Sequence, residues 1–172
     1  MGLLFSACSD SGNTKSADGA LEPAQMDPTI AAVFVDTEPA NFVTVSEARS
    51  TAKSGDSVVV AGKVAGAMNP FTEGFATAVL ADEALETCDL IPGDACETPW
   101  DACCVDSAII KSLRLTIQVV DAEGRPIAQS LKGLNGLKEL DPVVVSGTVA
   151  EGSTKENLII NVSSLYQKSD VL

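Results

Sequence analysis

Histidine does not occur anywhere in this chain of 172 residues. Its absence removes Ser-His-Asp and Cys-His catalytic arrangements and every histidine-ligated metal site. Positive charge is scarce: 11 Lys and Arg stand against 24 Asp and Glu, a formal net charge of −13. Such a balance repels phosphate backbones and argues against a nucleic-acid partner. Aromatic residues make up only 4% of the sequence, few for the stacking platforms that single-strand binders use. Uninterrupted apolar runs reach about six residues, as in 30–35, far short of the ~20 that a membrane-spanning helix needs. Glycine-rich phosphate loops, HExxH and GxSxG are missing as well, so no catalytic motif points to an enzyme.

What remains is a chain able to fold. It is 45% hydrophobic and 20% charged, with a mean hydropathy of +0.21, enough apolar surface for one core. The sequence divides unevenly. Residues 1–28 open with MGLLFSAC and continue as a Ser-, Gly- and Asp-rich tract that cannot offset its own ordering entropy. Residues 29–172 are expected to form the folded domain.

Ala7 before Cys8, with Leu3, Leu4 and Phe5 upstream and a polar tract downstream, resembles a bacterial lipobox. The resemblance implies cleavage before Cys8, a lipid on its sulfur, and an extracytoplasmic, membrane-anchored protein, periplasmic or on the cell surface. The apolar stretch is shorter than a full signal segment, so the reading frame is expected to extend upstream of Met1. Two other readings of the same residues are an N-myristoylated terminus starting at Gly2 and a frayed terminus with an incidental cysteine.

Within the domain, Ile30–Val35 is an apolar run expected as a short strand. Thr44-Val45-Ser46-Glu47 is a capping box that opens a helix ending near Lys53, before Gly55. Strands are then expected at 57–66, 75–82, 112–121, 142–150 and 158–165. The third alternates cleanly, with Leu113, Leu115, Ile117 and Val119 on one face and Arg114, Thr116 and Gln118 on the other. A helix-like segment, 128–140, separates the third and fourth strands.

Residues 56–65 (DSVVVAGKVA) nearly repeat as 141–150 (DPVVVSGTVA). Each copy carries a mid-strand glycine, Gly62 or Gly147, where a bulge or bend is expected. Two strands with one bending task suit a small closed barrel. Five strands coiled in this way resemble an OB-fold, so the fold class is all-β: a five-stranded OB-like barrel with a short N-terminal helix and a long cysteine-rich loop between strands 2 and 3. The chain also resembles uncharacterised bacterial lipoproteins that share Gly55-Asp56 with Val58–Val60 and Gly62, the turn Asn69-Pro70-Phe71, and the TPWD-x-CC segment Thr98–Cys104. That resemblance implies no activity.

The loop at 82–106 carries the unusual chemistry. It holds Cys88, Cys96, Cys103 and Cys104, the only Trp (Trp100), eight carboxylates and no Lys or Arg. In an exported protein, four cysteines lead to two disulfides, with Cys103 and Cys104 each reaching back to Cys88 or Cys96 and Trp100 packed over the bridges. The competing reading is a four-thiolate metal site, zinc first. Against it stand the missing C-x2–4-C knuckles, an awkward vicinal pair, and eight acids that would raise the thiol pKa values. Redox catalysis lacks C-x-x-C and an activating cation. Calcium lacks the EF-hand spacing.

Residues 41–172 hold ten Lys and Arg against eighteen Asp and Glu, so an OB-type nucleic-acid binder is disfavoured in spite of the fold. The expected function is therefore a non-enzymatic, membrane-tethered binding domain for a protein or cell-envelope component. Metal binding through the loop is the alternative.

Overall fold

The computed structural model describes residues 26–168. The chain runs α1 (Pro28–Val33), β1 (Val43–Thr44), α2 (Val45–Thr51), β2 (Ser57–Val64), β3 (Thr77–Ala81), α3 (Ser107–Ser112), β4 (Arg114–Gln118), β5 (Pro142–Val149) and β6 (Ile159–Gln167). Five strands close in the circuit β2–β3–β4–β6–β5 and back to β2. All pairs around the ring are antiparallel except β4 with β6, which run parallel. The two-residue β1 adds to β2 in parallel from outside the ring. The barrel is OB-like, as its strand order and single parallel seam show.

Ring closure depends on the repeated sequence. Residues 57–63 of β2 pair with β5, and only Lys63 and Val64 pass on to β3, so the strand must bend at that hand-over. Gly62 sits there with no room for a side chain: a Cβ would lie 2.5 Å from the Ala81 carbonyl oxygen. Gly147 occupies the equivalent place in β5, against the Asn161 carbonyl oxygen and beside a register shift in the β5–β6 pairing. The shift lets Ser163 bulge outward and turns Leu165 into the core. Both mid-strand glycines therefore mark bends.

The interior is filled by alternating strand residues. Leu115, Ile117 and Val119 of the third expected strand are buried, as are Val143, Val145, Ile160 and Val162. The capping box forms as written: Thr44 Oγ1 accepts from the Glu47 amide at 3.2 Å, and Glu47 Oε2 accepts from the Thr44 amide at 2.9 Å. Helix α2 lays Val45 and Ala48 into the core.

Four local expectations change. Residues 30–33 are the end of a helix, not part of a strand, because Asp27 caps it and Pro28 takes the first position, where proline's fixed φ suits a helix. Ile30 and Val33, one turn apart, face inward while Ala31 and Ala32 face out. Ser112 belongs to α3, so β4 starts two residues later than the alternation suggested. Phe75, expected to open the second strand, is 48% exposed in the turn before β3, which starts at Thr77. The segment 128–140 is not a helix: its only helical turn is the 3-10 turn Leu134–Gly136, broken by left-handed backbone at Gly133 and Asn135. It serves as a plug, with Leu131, Leu134 and Leu137 fully buried, each contributing ~1.5–3 kcal/mol of apolar burial.

Candidate metal centre

The cysteine-rich segment leaves the barrel at the end of β3 and returns through α3 into β4. Asp82 secures its start. The side chain is 4% exposed and accepts hydrogen bonds from the amides of Ser46, in the first turn of α2, and Ala84, at 2.8 and 3.0 Å. Burial by itself would push its pKa up. The hydrogen bonds from Ala84 and Ser46, helped by the Ser46 and Thr44 side chains, prevail and hold the carboxyl below its ordinary value.

Further along, Leu85 is buried with Ala65, Ala81 and Ala102, and Trp100, Val105, Ile110, Leu113 and Leu140 pack around them. Trp100 does not sit over disulfides, as its place in the sequence suggested. It packs on this alanine and leucine cluster, its Nε1 donates to the Met68 carbonyl at 2.9 Å, and its own carbonyl accepts from Gly66 N at 2.8 Å. The loop is thereby docked against the barrel wall.

Docking brings the cysteines together. The Cys88 and Asp89 amides donate to the carbonyls of Asp101 and Pro99 at 2.8 and 2.9 Å, which lays the 3-10 turn Cys88–Leu90 beside the second half of the loop. Gly93, at φ 82°, turns the chain, and the Asp94 carboxylate accepts from the Cys96 amide at 3.0 Å. The Sγ atoms of Cys88, Cys96 and Cys103 all lie within 4.8 Å of one another, and Cys88 and Cys104 form a second group of this kind with an oxygen of Asp94. Cys88 and Cys103 are 3.6 Å apart, and Cys103 and Cys104 are 4.0 Å apart.

One correction follows. A disulfide requires ~2.05 Å between sulfurs; these cysteines are free thiols, and the two expected bridges are not formed. The vicinal pair is divided between the two groups, Cys103 standing with Cys88 and Cys96, and Cys104 with Cys88 and Asp94. Zinc–thiolate bonds of ~2.3 Å place tetrahedral sulfurs ~3.8 Å apart, and the separations of 3.6 and 4.0 Å fall on either side of that edge. Cys88, Cys96 and Cys103 are thus close enough together to hold a soft divalent ion. Asp94, which sequence reasoning counted only as one of eight acids, is a further oxygen donor in reach.

The acidic neighbours do not lead the thiol shifts. Cys88 is pushed up to about 12, by burial first and then by its contacts with Cys103 and Cys96. Cys103 is also raised: its contact with Cys88 lowers it, but Cys104, burial and the charges of Cys104 and Cys96 outweigh that. Cys96 is lowered, chiefly by the Thr98 side chain 3.4 Å away.

One residue next to the loop escaped the sequence reading. Lys63 is 7% exposed, and its Nζ donates at 2.8 Å to Oγ1 of the fully buried Thr87, the residue before Cys88. Among the described residues it makes no ion pair. A lysine within the apolar run SVVVAGKVAG was the available signal. Cys8 lies outside the described residues, and so does most of the 1–28 segment.

No family model matches the chain, and no curated protein matches it in sequence. Among solved structures it is similar to a protein from Leishmania major Friedlin assigned as an aspartyl-tRNA synthetase, at 12% identity and a TM-score of 0.42. The match covers 82% of this chain and 25% of that one, so the chain spans about a quarter of its neighbour's length.

Proposed function

We propose that this chain is a non-enzymatic metal-binding domain whose loop holds one soft divalent cation, zinc first, through Cys88, Cys96, Cys103 and Cys104. The observation that carries the reading is the group of three sulfurs, Cys88, Cys96 and Cys103, within 4.8 Å of one another, with Cys104 at 4.0 Å from Cys103, spacings too long for bonded sulfurs. Four protein ligands leave no open position for a reacting water, so the ion would cross-link the loop. The lipobox-like Ala7–Cys8 adds the second half of the proposal: a domain held by a lipid outside the cytoplasm, where ligation would also keep the thiols from pairing oxidatively.

Full-length protein purified without chelator is the test, read by metal analysis and by thiol titration after denaturation with chelator. One equivalent of zinc and four loop thiols are expected. No metal and no reactive thiol in the loop would overturn the reading in favour of two disulfides. Cys88 belongs to both candidate ligand groups, so Cys88→Ser should weaken zinc binding beyond the ~10–100-fold typical of changes outside the ligand shell. Because a thiol near pKa 12 must lose its proton to ligate, zinc uptake should strengthen as pH rises.

A further inference from the structure

Positive charge is scarce in this chain and unevenly placed. A cavity of about 460 Å³ is lined by Arg49 from α2, Lys111 from α3, Arg114 and Thr116 from β4, and Glu156 and Asn157 from the β5–β6 loop. Arg49 also lines an adjoining cavity of about 250 Å³, together with Lys53 and Lys155. Half of the ten Lys and Arg in residues 41–172 thus surround two neighbouring hollows that share one guanidinium.

The two arginines are held by main-chain carbonyls. Arg49 donates from Nη1 to the Arg114 carbonyl at 2.9 Å and from Nη2 to the Lys155 carbonyl, and Arg114 donates from Nη1 to the Gly66 carbonyl at 3.0 Å. These bonds fix both guanidinium groups without neutralising them. Among the described residues none of the five cations is in an ion pair. Glu156 is the one carboxylate in the larger cavity and stands against three cations there. Arg49 is lowered by burial; Glu156 pulls it back up, and the like charge of Arg114 lowers it further. Like charges fixed side by side at a cavity wall favour an anion between them.

We propose that this cavity is a binding site for a small molecule carrying a phosphate-like oxyanion, gripped by Arg49, Arg114 and Lys111. Its volume lies in the range of small-molecule sites, and the hydroxyl of Thr116 and the amide of Asn157 can hydrogen-bond the uncharged part of such a ligand. The net charge of the protein does not forbid this. At physiological ionic strength charges are screened over ~8 Å, so the cations in the wall dominate over distant carboxylates. A nucleic-acid strand is a poorer occupant, because no aromatic side chain lines either cavity.

The test is calorimetric or NMR titration of the full-length protein with inorganic phosphate, and with sulfate as a second tetrahedral oxyanion that does not extract thiolate-bound metal. Saturable binding that weakens as sodium chloride is raised is expected for both. Arg114→Gln should weaken it about tenfold, the scale of one charge-assisted hydrogen bond. Lys111→Glu acts through an exposed side chain and so spares the fold, and it should weaken binding at least as much. Lys138→Glu makes the same charge change at an exposed site outside both cavities and should leave affinity unaltered. Absence of saturation at millimolar phosphate would overturn the proposal. Equal losses from Lys111→Glu and Lys138→Glu would do so too, as would tighter binding of an oligothymidylate. Zinc content is read separately, so failure here leaves the loop reading untouched.

Discussion

Val60 and Val145 are hydrogen-bonded neighbours across the β2–β5 seam and also counterparts in the repeated strand sequence. The seam is therefore locally two-fold symmetric about this pair, which places Gly62 opposite Val143 and Gly147 opposite Val58. The echo is two strands built alike because each meets the other in the same way.

Gly62→Ala and Gly147→Ala should both destabilise the barrel. Each methyl group would meet a backbone carbonyl that cannot move aside cheaply; overpacking of this kind costs ~1–3 kcal/mol. Denaturant melts of the two variants check it, and a change in midpoint within error of wild type for either would remove the steric account of that glycine.

Asp82 should make stability fall in acid. A carboxyl held below its unfolded-state value of ~3.9 stabilises the fold fully above that pH, and the contribution is lost as pH falls through the lower folded value. Asp82→Asn should flatten that part of the stability profile. It should also cost about 1–3 kcal/mol at neutral pH if one of the two amides loses its acceptor. Unfolding curves from about pH 2 to about pH 7 compare the two proteins.

Thr87→Val and Lys63→Met should differ in size although they break the same hydrogen bond. The first leaves a buried ammonium without its hydroxyl partner, at ~1–3 kcal/mol or more, whereas the second leaves only the neutral, buried Thr87 hydroxyl unpaired and should be milder. Thermal melts at fixed pH rank them, and the reverse order would show that the lysine stabilises the loop by more than this bond.

If Cys8 carries a lipid, Cys8→Ser should convert a detergent-partitioning protein into an aqueous one on expression in a host that processes lipoproteins, with a complete signal segment supplied ahead of Cys8. Two covalent signals or a chain plus further contacts are needed for stable anchoring, so phase separation in detergent is the sensitive assay. Identical partitioning of both forms would remove the lipid anchor from the proposal.

Legibility in the sequence tracked locality. The capping box at Thr44 and Glu47, the alternation through Leu115, Ile117 and Val119, and the bends at Gly62 and Gly147 are each written within a few residues, and each is found in the fold. The plug at Leu131–Leu137 has helical spacing of leucines, but Gly133 and Gly136 allow backbone that no helix contains. Four cysteines in one loop announced a shared site, yet whether sulfurs meet at bonding or at ligating distance depends on how Asp101 and Pro99 receive the Cys88 turn. Arg49, Lys111 and Arg114 gave no signal, because two of them lie more than sixty residues from the third and only barrel closure gathers them.

The β2–β5 seam also sets the order of events when the chain is made. Val60 must wait for Val145, eighty-five positions later, before its edge is satisfied. Contacts between such distant segments slow folding, since loop closure is unfavourable until the pairing that rewards it forms. During synthesis, residues 58–60 (VVV) therefore stand as an open, sticky edge until nearly the whole domain has emerged, and that interval is when this protein is most exposed to aggregation.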